Sequence, residues 1–167
     1  MGDSKVGRSL LVVLAVALVC GCASLRWSVQ KSLRPPGERL SDFPEAVWAE
    51  YDCGKQERPF FKIERNELVP PRVKAGGLFA HRLVYVMCPT RPTGVVSGRL
   101  QTRIRFRGDP IVRETTETYD IKPGRWVVDA QVQLPAHAEP GVYAYEIAFR
   151  GERVDFEERL TFVVQSR

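Results

Sequence analysis

The sequence predicts an all-β chain: an antiparallel sandwich of about seven short strands, preceded by an export signal, a tether and one short helix. Three observations carry this reading. From residue 59 onward apolar residues recur at every second position, which is the period of a half-buried strand. Glycine and proline pairs punctuate that pattern at short intervals. The first 25 residues follow a different plan, with basic residues, then an apolar run, then small residues.

At the N-terminus, Lys5 and Arg8 precede an unbroken apolar run from Leu10 to Val19. A membrane-spanning helix needs about 20 such residues, because it rises about 1.5 Å per residue across about 30 Å of hydrocarbon. The run is too short to span and reads as the core of a signal peptide. It ends in Val19-Cys20-Gly21-Cys22, which resembles the lipobox of bacterial lipoproteins. That resemblance implies cleavage behind Gly21 and acylation of Cys22 as the first mature residue, which anchors the chain to a membrane through its acyl chains. Small residues at Gly21 and Ala23 also suit an ordinary signal cut after Ala23, so both processing routes stand. Residues 1–21 are thus expected to be removed. What remains, residues 22–167, is the size of one domain with an appendage.

With Cys20 lost and Cys22 lipidated, Cys53 and Cys88 remain as a pair. Outside the cytoplasm such a pair is most simply a disulfide. A redox or metal site would favour CxxC spacing or clustered histidines, and only His81 lies near Cys88 in sequence.

Residues 22–40 contain Arg34-Pro35-Pro36-Gly37 and no sustained period, and read as a tether. Arg26, Lys31 and Arg34 flank Trp27, a combination that fits either a bilayer interface or a plain solvated linker. Residues 41–54 read as a short helix. Ser41 or Asp42 is a candidate cap, Pro44 falls in the first turn, and Val47, Trp48 and Tyr51 share one face. A helix this short needs a surface to pack on.

Residues 59–166 form the sandwich. The strand candidates are "PFFKIERNELV", "HRLVYVMCP", "GRLQTRIRFRGDPIV", "RETTETYDI", "RWVVDAQVQLP", "GVYAYEIAFRG" and "VDFEERLTFVV". In the second, Leu83, Tyr85 and Met87 share one face with valines on the other, as in a strand covered on both sides. The inward sets of the last three are Trp126, Val128, Ala130, Val132 and Leu134; Tyr143, Tyr145, Ile147 and Phe149; and Phe156, Leu160, Phe162 and Val164. Turns are expected at Pro70-Pro71, Gly76-Gly77, Gly108-Asp109, Lys122-Pro123-Gly124, Pro140-Gly141 and Gly151. The stretch "VQLPAHAEPGVYAYEIAFRG" resembles the E to F crossing of bacterial immunoglobulin-like and fibronectin type III-like domains. The resemblance implies an immunoglobulin-like sandwich with Tyr143 as a tyrosine corner, its hydroxyl bonded back to nearby backbone. It speaks to fold, and says little of activity.

The inventory for catalysis is thin. Past residue 41 the serines are Ser97 and Ser166, the histidines are His81 and His137, and no nucleophile elbow, P-loop, dinucleotide fingerprint or calcium loop is present. The carboxylate pairs Glu114/Glu117 and Glu157/Glu158 fall on strands beside arginines and read as cross-strand ion pairs. A two-residue turn at Gly108-Asp109 sets Arg103 opposite Glu114. His81, Met87 and Cys88 are soft enough for copper, but Cys88 faces away from the other two; His81 reads as capped or exposed and Met87 as core. No metal or cofactor is expected. A net charge of +5, spread along the chain without a lysine-rich run, excludes a nucleic-acid footprint. Arg103, Arg105 and Arg107 alternate along one strand. They read either as a surface for an anionic partner or as a solubilising outer face that discourages edge pairing.

These features together predict a lipid-anchored cell-envelope protein that is not an enzyme, serving as a binding or scaffolding module. A periplasmic small-ligand or metal-binding protein is the alternative. The expected partners are the membrane, through Cys22, and an envelope protein or an anionic envelope polymer. Ala23 is not the aspartate that retains lipoproteins at the inner membrane, so in a Gram-negative cell the expected site is the outer membrane, facing the periplasm.

Overall fold

Alternating apolar residues do become strands. The computed structural model describes residues 35–91 and 94–166. The signal peptide, Cys22 and most of the tether lie outside the described residues. In chain order the elements are β1 (Gly37–Asp42), α1 (Pro44–Glu50), β2 (Phe60–Val69), β3 (Arg72–Lys74), β4 (Leu78–Cys88), β5 (Val96–Phe106), β6 (Asp109–Ile121), β7 (Gly124–Gln133), β8 (Gly141–Gly151) and β9 (Asp155–Gln165). They form two sheets, one in the order β1-β7-β4-β2 and the other β3-β9-β8-β5-β6. The architecture is an all-β sandwich.

The core lies between the sheets and follows the period-two pattern. Phe79, Leu83, Tyr85 and Met87 of β4 meet Tyr143, Tyr145, Ile147 and Phe149 of β8, all of them buried. Aromatic rings dominate this layer: Phe79 packs on Phe162 with ring centroids 4.8 Å apart and edge-on to Tyr145 at 5.9 Å. Such pairs add about 0.5–1.5 kcal/mol each beyond the area they bury. The Tyr143 hydroxyl donates to the carbonyl of Glu139 at 2.8 Å, closing the corner that the sequence resemblance implies.

The seven anticipated strands are β2 and β4 to β9, and two more join them. Strand β3 follows Pro70-Pro71, where the chain leaves the first sheet, and runs parallel to β9 with Arg72 opposite Val163. Strand β1 takes residues 37–42, so the stretch read as tether ends at Pro36 rather than at residue 40. It pairs antiparallel with β7, Gly37 opposite Asp129 and Leu40 opposite Trp126. Leu40 is its one large apolar residue, which is why no apolar alternation marks it.

The helix is shorter than the anticipated 41–54. Ser41 and Asp42 belong to β1, and Phe43 stands at the N-cap with no side-chain capping bond. Val47 is fully buried in a second cluster with Cys53, Val86 and Cys88, against which Trp48, Tyr51 and Phe60 pack. The apolar face of α1 thus covers the outside of β4, accounting for a strand buried on both faces. Cys53 and Cys88 are bonded, with their Cα atoms 6.2 Å apart.

The β5–β6 hairpin turns one residue earlier than anticipated. Arg107 and Gly108 both have positive φ, 53° and 95°, and Phe106 faces Asp109. Two positive-φ central residues define a type I′ turn, whose twist matches the strands it joins. The early turn, with a bulge at Ile104/Arg105, sets the register, so Arg103 lies opposite Arg113 and Glu114 opposite Thr102; a second bulge at Gly98/Leu100 shifts it again further along.

Candidate functional site

The arginine row does not form a free cationic stripe. Arg103 and Arg105 leave the outer face of β5 and converge on Glu146 at the centre of β8, with Nε–Oε2 distances of 3.2 and 2.8 Å. Arg103 also reaches Glu157 at 3.1 Å, and Arg105 donates to the Gly108 carbonyl at 2.7 Å. Arg103 is 17% and Glu146 8% exposed at the side chain, so these charges are spent on each other. Arg107 sits in the turn, 3.5 Å from Glu139 and over the ring of Phe106. Of the three residues read as a possible surface for an anionic partner, Arg103 and Arg105 are thus neutralised by a carboxylate that β8 supplies, while Arg107 stays exposed in the turn.

Charge on the opposite sheet is used the same way. Arg125 of β7 gathers Asp42, Glu50 and Glu64, from β1, α1 and β2, at 2.5, 2.8 and 2.7 Å. Hydrogen bonding from Arg125 holds the Glu64 carboxyl below the usual glutamate range, and Tyr51 adds a bond to Glu64 at 2.6 Å. Together with the disulfide, this fixes α1 and β1 to the sheet.

Several residues considered for chemistry are engaged with neighbours. Ser97 donates to Asp120 at 2.5 Å, and Glu117 pairs with Arg99 at 2.8 Å. Glu157 also takes a bond from Arg150 at 3.0 Å. His81 was expected capped or exposed, yet it is 2% exposed inside the sandwich. Its Nε2 shares a hydrogen bond with Asn66 Oδ1 at 2.8 Å, its Nδ1 lies 3.5 Å from the Tyr145 hydroxyl, and Asn66 donates onward to Glu158 at 3.4 Å. Burial pushes the imidazole pKa down to about 4, so the ring is neutral near pH 7. Among the described residues no group of three or more His, Cys, Asp or Glu is placed to hold a metal ion.

An open concave feature lies between the sheet edges. Strand β6 closes one sheet and β7 lies near the edge of the other, and a cleft of about 370 Å³ opens between them. Leu100, Ile104, Val112 and Val132 give it an apolar floor, and the Tyr145 ring reaches its base. Glu114, Gln131 and Gln133 line its mouth, and all three are exposed. Glu114 has no ion-pair or hydrogen-bond partner among the described residues. One signal of this site is legible in the sequence, the polar alternation of "DAQVQ" at the end of β7, but nothing there says that β1 stops short of that stretch.

No protein-family profile matches the chain, and no curated protein does. Among solved structures it is similar to a family 123 glycoside hydrolase from Clostridium perfringens, with 14% identity, a TM-score of 0.44 and coverage of 57% of this chain and 22% of that one. It is also similar to Spo0M, a sporulation control protein from Bacillus subtilis, with 12% identity, a TM-score of 0.44 and coverage of 64% and 50%. A third is the alkylpurine DNA glycosylase AlkC of Pseudomonas fluorescens, with 11% identity, a TM-score of 0.44 and coverage of 64% and 30%. The chain thus spans half or less of the length of each, and likenesses this remote carry no inference about activity.

Proposed function

We propose that this chain is a lipid-anchored envelope protein whose sandwich, of immunoglobulin-like type, is a non-enzymatic binding or scaffolding module. The lipobox-like Val19-Cys20-Gly21-Cys22 supports an anchor at Cys22, and Ala23 supports the outer membrane, facing the periplasm, if the cell is Gram-negative. The immunoglobulin-like reading draws support from the Tyr143 corner and from β2 and β3 dividing between the two sheets.

The observation that carries the binding role is the open cleft between β6 and β7, where an unpaired carboxylate and exposed amides surround an apolar floor. The second reading, a periplasmic small-ligand protein, is favoured by the volume of that same cleft, which lies within the range of small-molecule sites of about 300–1,000 Å³.

The test is intact mass and membrane partitioning of the native protein beside Cys22→Ser, then photocrosslinking in membranes from a probe placed at Gln131. An acyl mass lost in Cys22→Ser, with one discrete protein adduct from Gln131 and none from a probe at Glu45 on α1, supports the anchored module. A soluble, unlipidated chain refutes the anchor. A lipidated chain that gives no adduct, but whose melting temperature rises with a small envelope metabolite, transfers the site to the second reading.

A further inference from the structure

Strand β7 has a half-filled edge. Residues 125–129 pair with β1 there, whereas among the described residues nothing pairs with residues 130–133 on that side. Leu134 donates its N–H to Gly77 at 3.0 Å, on the β4 side. In an antiparallel ladder successive residues direct their backbone groups to alternate sides. The N–H and C=O of Gln131 and Gln133 therefore point to the open edge, two donors and two acceptors spaced as a strand presents them.

The β1 ladder ends at Gly37, with a bend at Pro36, and continuing its register would set Pro35 against Gln131, where proline has no N–H to give. Directly beside the edge lies the cleft, with Ala130 and Val132 facing inward and Val112 on the far wall. Glu114 supplies a single negative charge at its mouth.

We propose that this edge takes an extended peptide segment of a partner protein by strand addition. The segment lies antiparallel to β7 and in line with β1, so that Gln131 and Gln133 complete their backbone bonds. Alternate side chains enter the cleft, apolar ones over Val112 and Val132, and a Lys or Arg meets Glu114. Backbone pairing gives affinity and the cleft gives selectivity, the division of labour of strand addition in general. A small ligand satisfies the cleft but not the spaced backbone groups, which favours a peptide. The proposal rests on reading the cleft as the binding site.

The probe is a capped hexapeptide alternating valine and threonine with one lysine among its inward positions, beside the same peptide with glutamate for lysine. Amide hydrogen exchange of the full-length chain is followed at Gln131 and Gln133. The expected result is rapid exchange of both amides in free protein, slowed at least tenfold by the lysine peptide. Glu114→Lys should reverse the preference between the two peptides, and Gln133→Pro, on the open edge, should weaken binding about tenfold or more. Glu114→Lys lies on an exposed edge strand and reads the site even if the proline variant misfolds.

Protection of both amides before peptide is added overturns the proposal, because the chain's own N-terminal residues then fill the edge. So does a concentration-dependent dimer that protects them, or peptide binding indifferent to Glu114→Lys. If the Gln131 crosslinker captures a protein while neither peptide slows exchange, strand addition fails and the binding module stands. If both fail, the module reading falls with it.

Discussion

The guanidinium of Arg82 meets the carboxylate of Asp129 through two hydrogen bonds, Nε to Oδ1 at 2.6 Å and Nη2 to Oδ2 at 2.7 Å, directly across β4 and β7. Both side chains are under a tenth exposed, and Arg39 of β1 adds a third contact to Asp129 at 3.2 Å. A fork of this kind is strong because two parallel charge-assisted bonds fix its geometry. Breaking it by removing one partner leaves a desolvated charge behind, which costs about 3–5 kcal/mol. Asp129→Ala is therefore expected to lower the stability of the sandwich by about that much in urea unfolding. Replacing the pair together, Arg82→Met with Asp129→Leu, should recover most of the loss. An Asp129→Ala cost under about 1 kcal/mol would show that water reaches the pair.

His81 makes stability depend on pH in a defined window. Burial lowers its folded pKa to about 4, the nearby Asp129 charge opposing this only in part, while the unfolded chain titrates near 6.5. The groups facing the ring, Asn66 and Tyr145, carry no charge near neutral pH to compensate. Between these values the unfolded state binds the extra proton, so stability rises with pH and falls as pH drops from 6.5 toward 4. The full effect is about 3 kcal/mol at about 1.4 kcal/mol per pKa unit. Unfolding free energies measured from pH 7 to pH 5 should show this slope in the native protein and lose it in His81→Phe.

Tyr143 offers a test that removes one atom. Its hydroxyl bonds the Glu139 carbonyl at 2.8 Å, and its ring stacks on Phe106 at 4.4 Å between centroids. Tyr143→Phe keeps the ring and deletes the bond. The expected cost is about 1 kcal/mol, read as a lower urea midpoint with an unchanged slope. A changed slope would mean that the corner also shapes the β7–β8 connection in the unfolded ensemble.

What the sequence made legible was whatever period two controls. The inward residues of β4 and β8 and the turns at glycine and proline follow from local spacing, and Tyr143 from a local motif. Partners across strands did not follow. Arg103 was expected against Glu114, but the turn falls one residue early at Arg107-Gly108 and the bulge at Ile104/Arg105 only partly restores the register, so Arg103 faces Arg113 and its ion-pair partner, Glu146, lies in another strand altogether. Strand β1 was illegible because Leu40 is its one large apolar residue; what defines it is the free edge of β7, which exists only once β4 and β7 have paired. The cleft shares that origin, since it is bounded by where β1 ends.

The N-terminal attachment yields the last prediction, because two independent fasteners hold it. The disulfide closes a loop of 35 residues in sequence separation, worth about 3–4 kcal/mol if chain entropy dominates. Arg125, 18% exposed at the side chain, binds one carboxylate from each of β1, α1 and β2. Arg125→Ala leaves three carboxylates facing each other, with an expected loss of about 2 kcal/mol. The two losses should not be equivalent. Reduction of the disulfide, or Cys53→Ala with Cys88→Ala, loosens α1 and the end of β4, whereas Arg125→Ala frees β1 as well. Amide exchange should then quicken at α1 in both variants, but at residues 37–42 only in Arg125→Ala. If β1 stays protected in Arg125→Ala, its backbone ladder with β7 holds it without the arginine. If β1 opens in the cysteine variant, the helix and strand release as one unit.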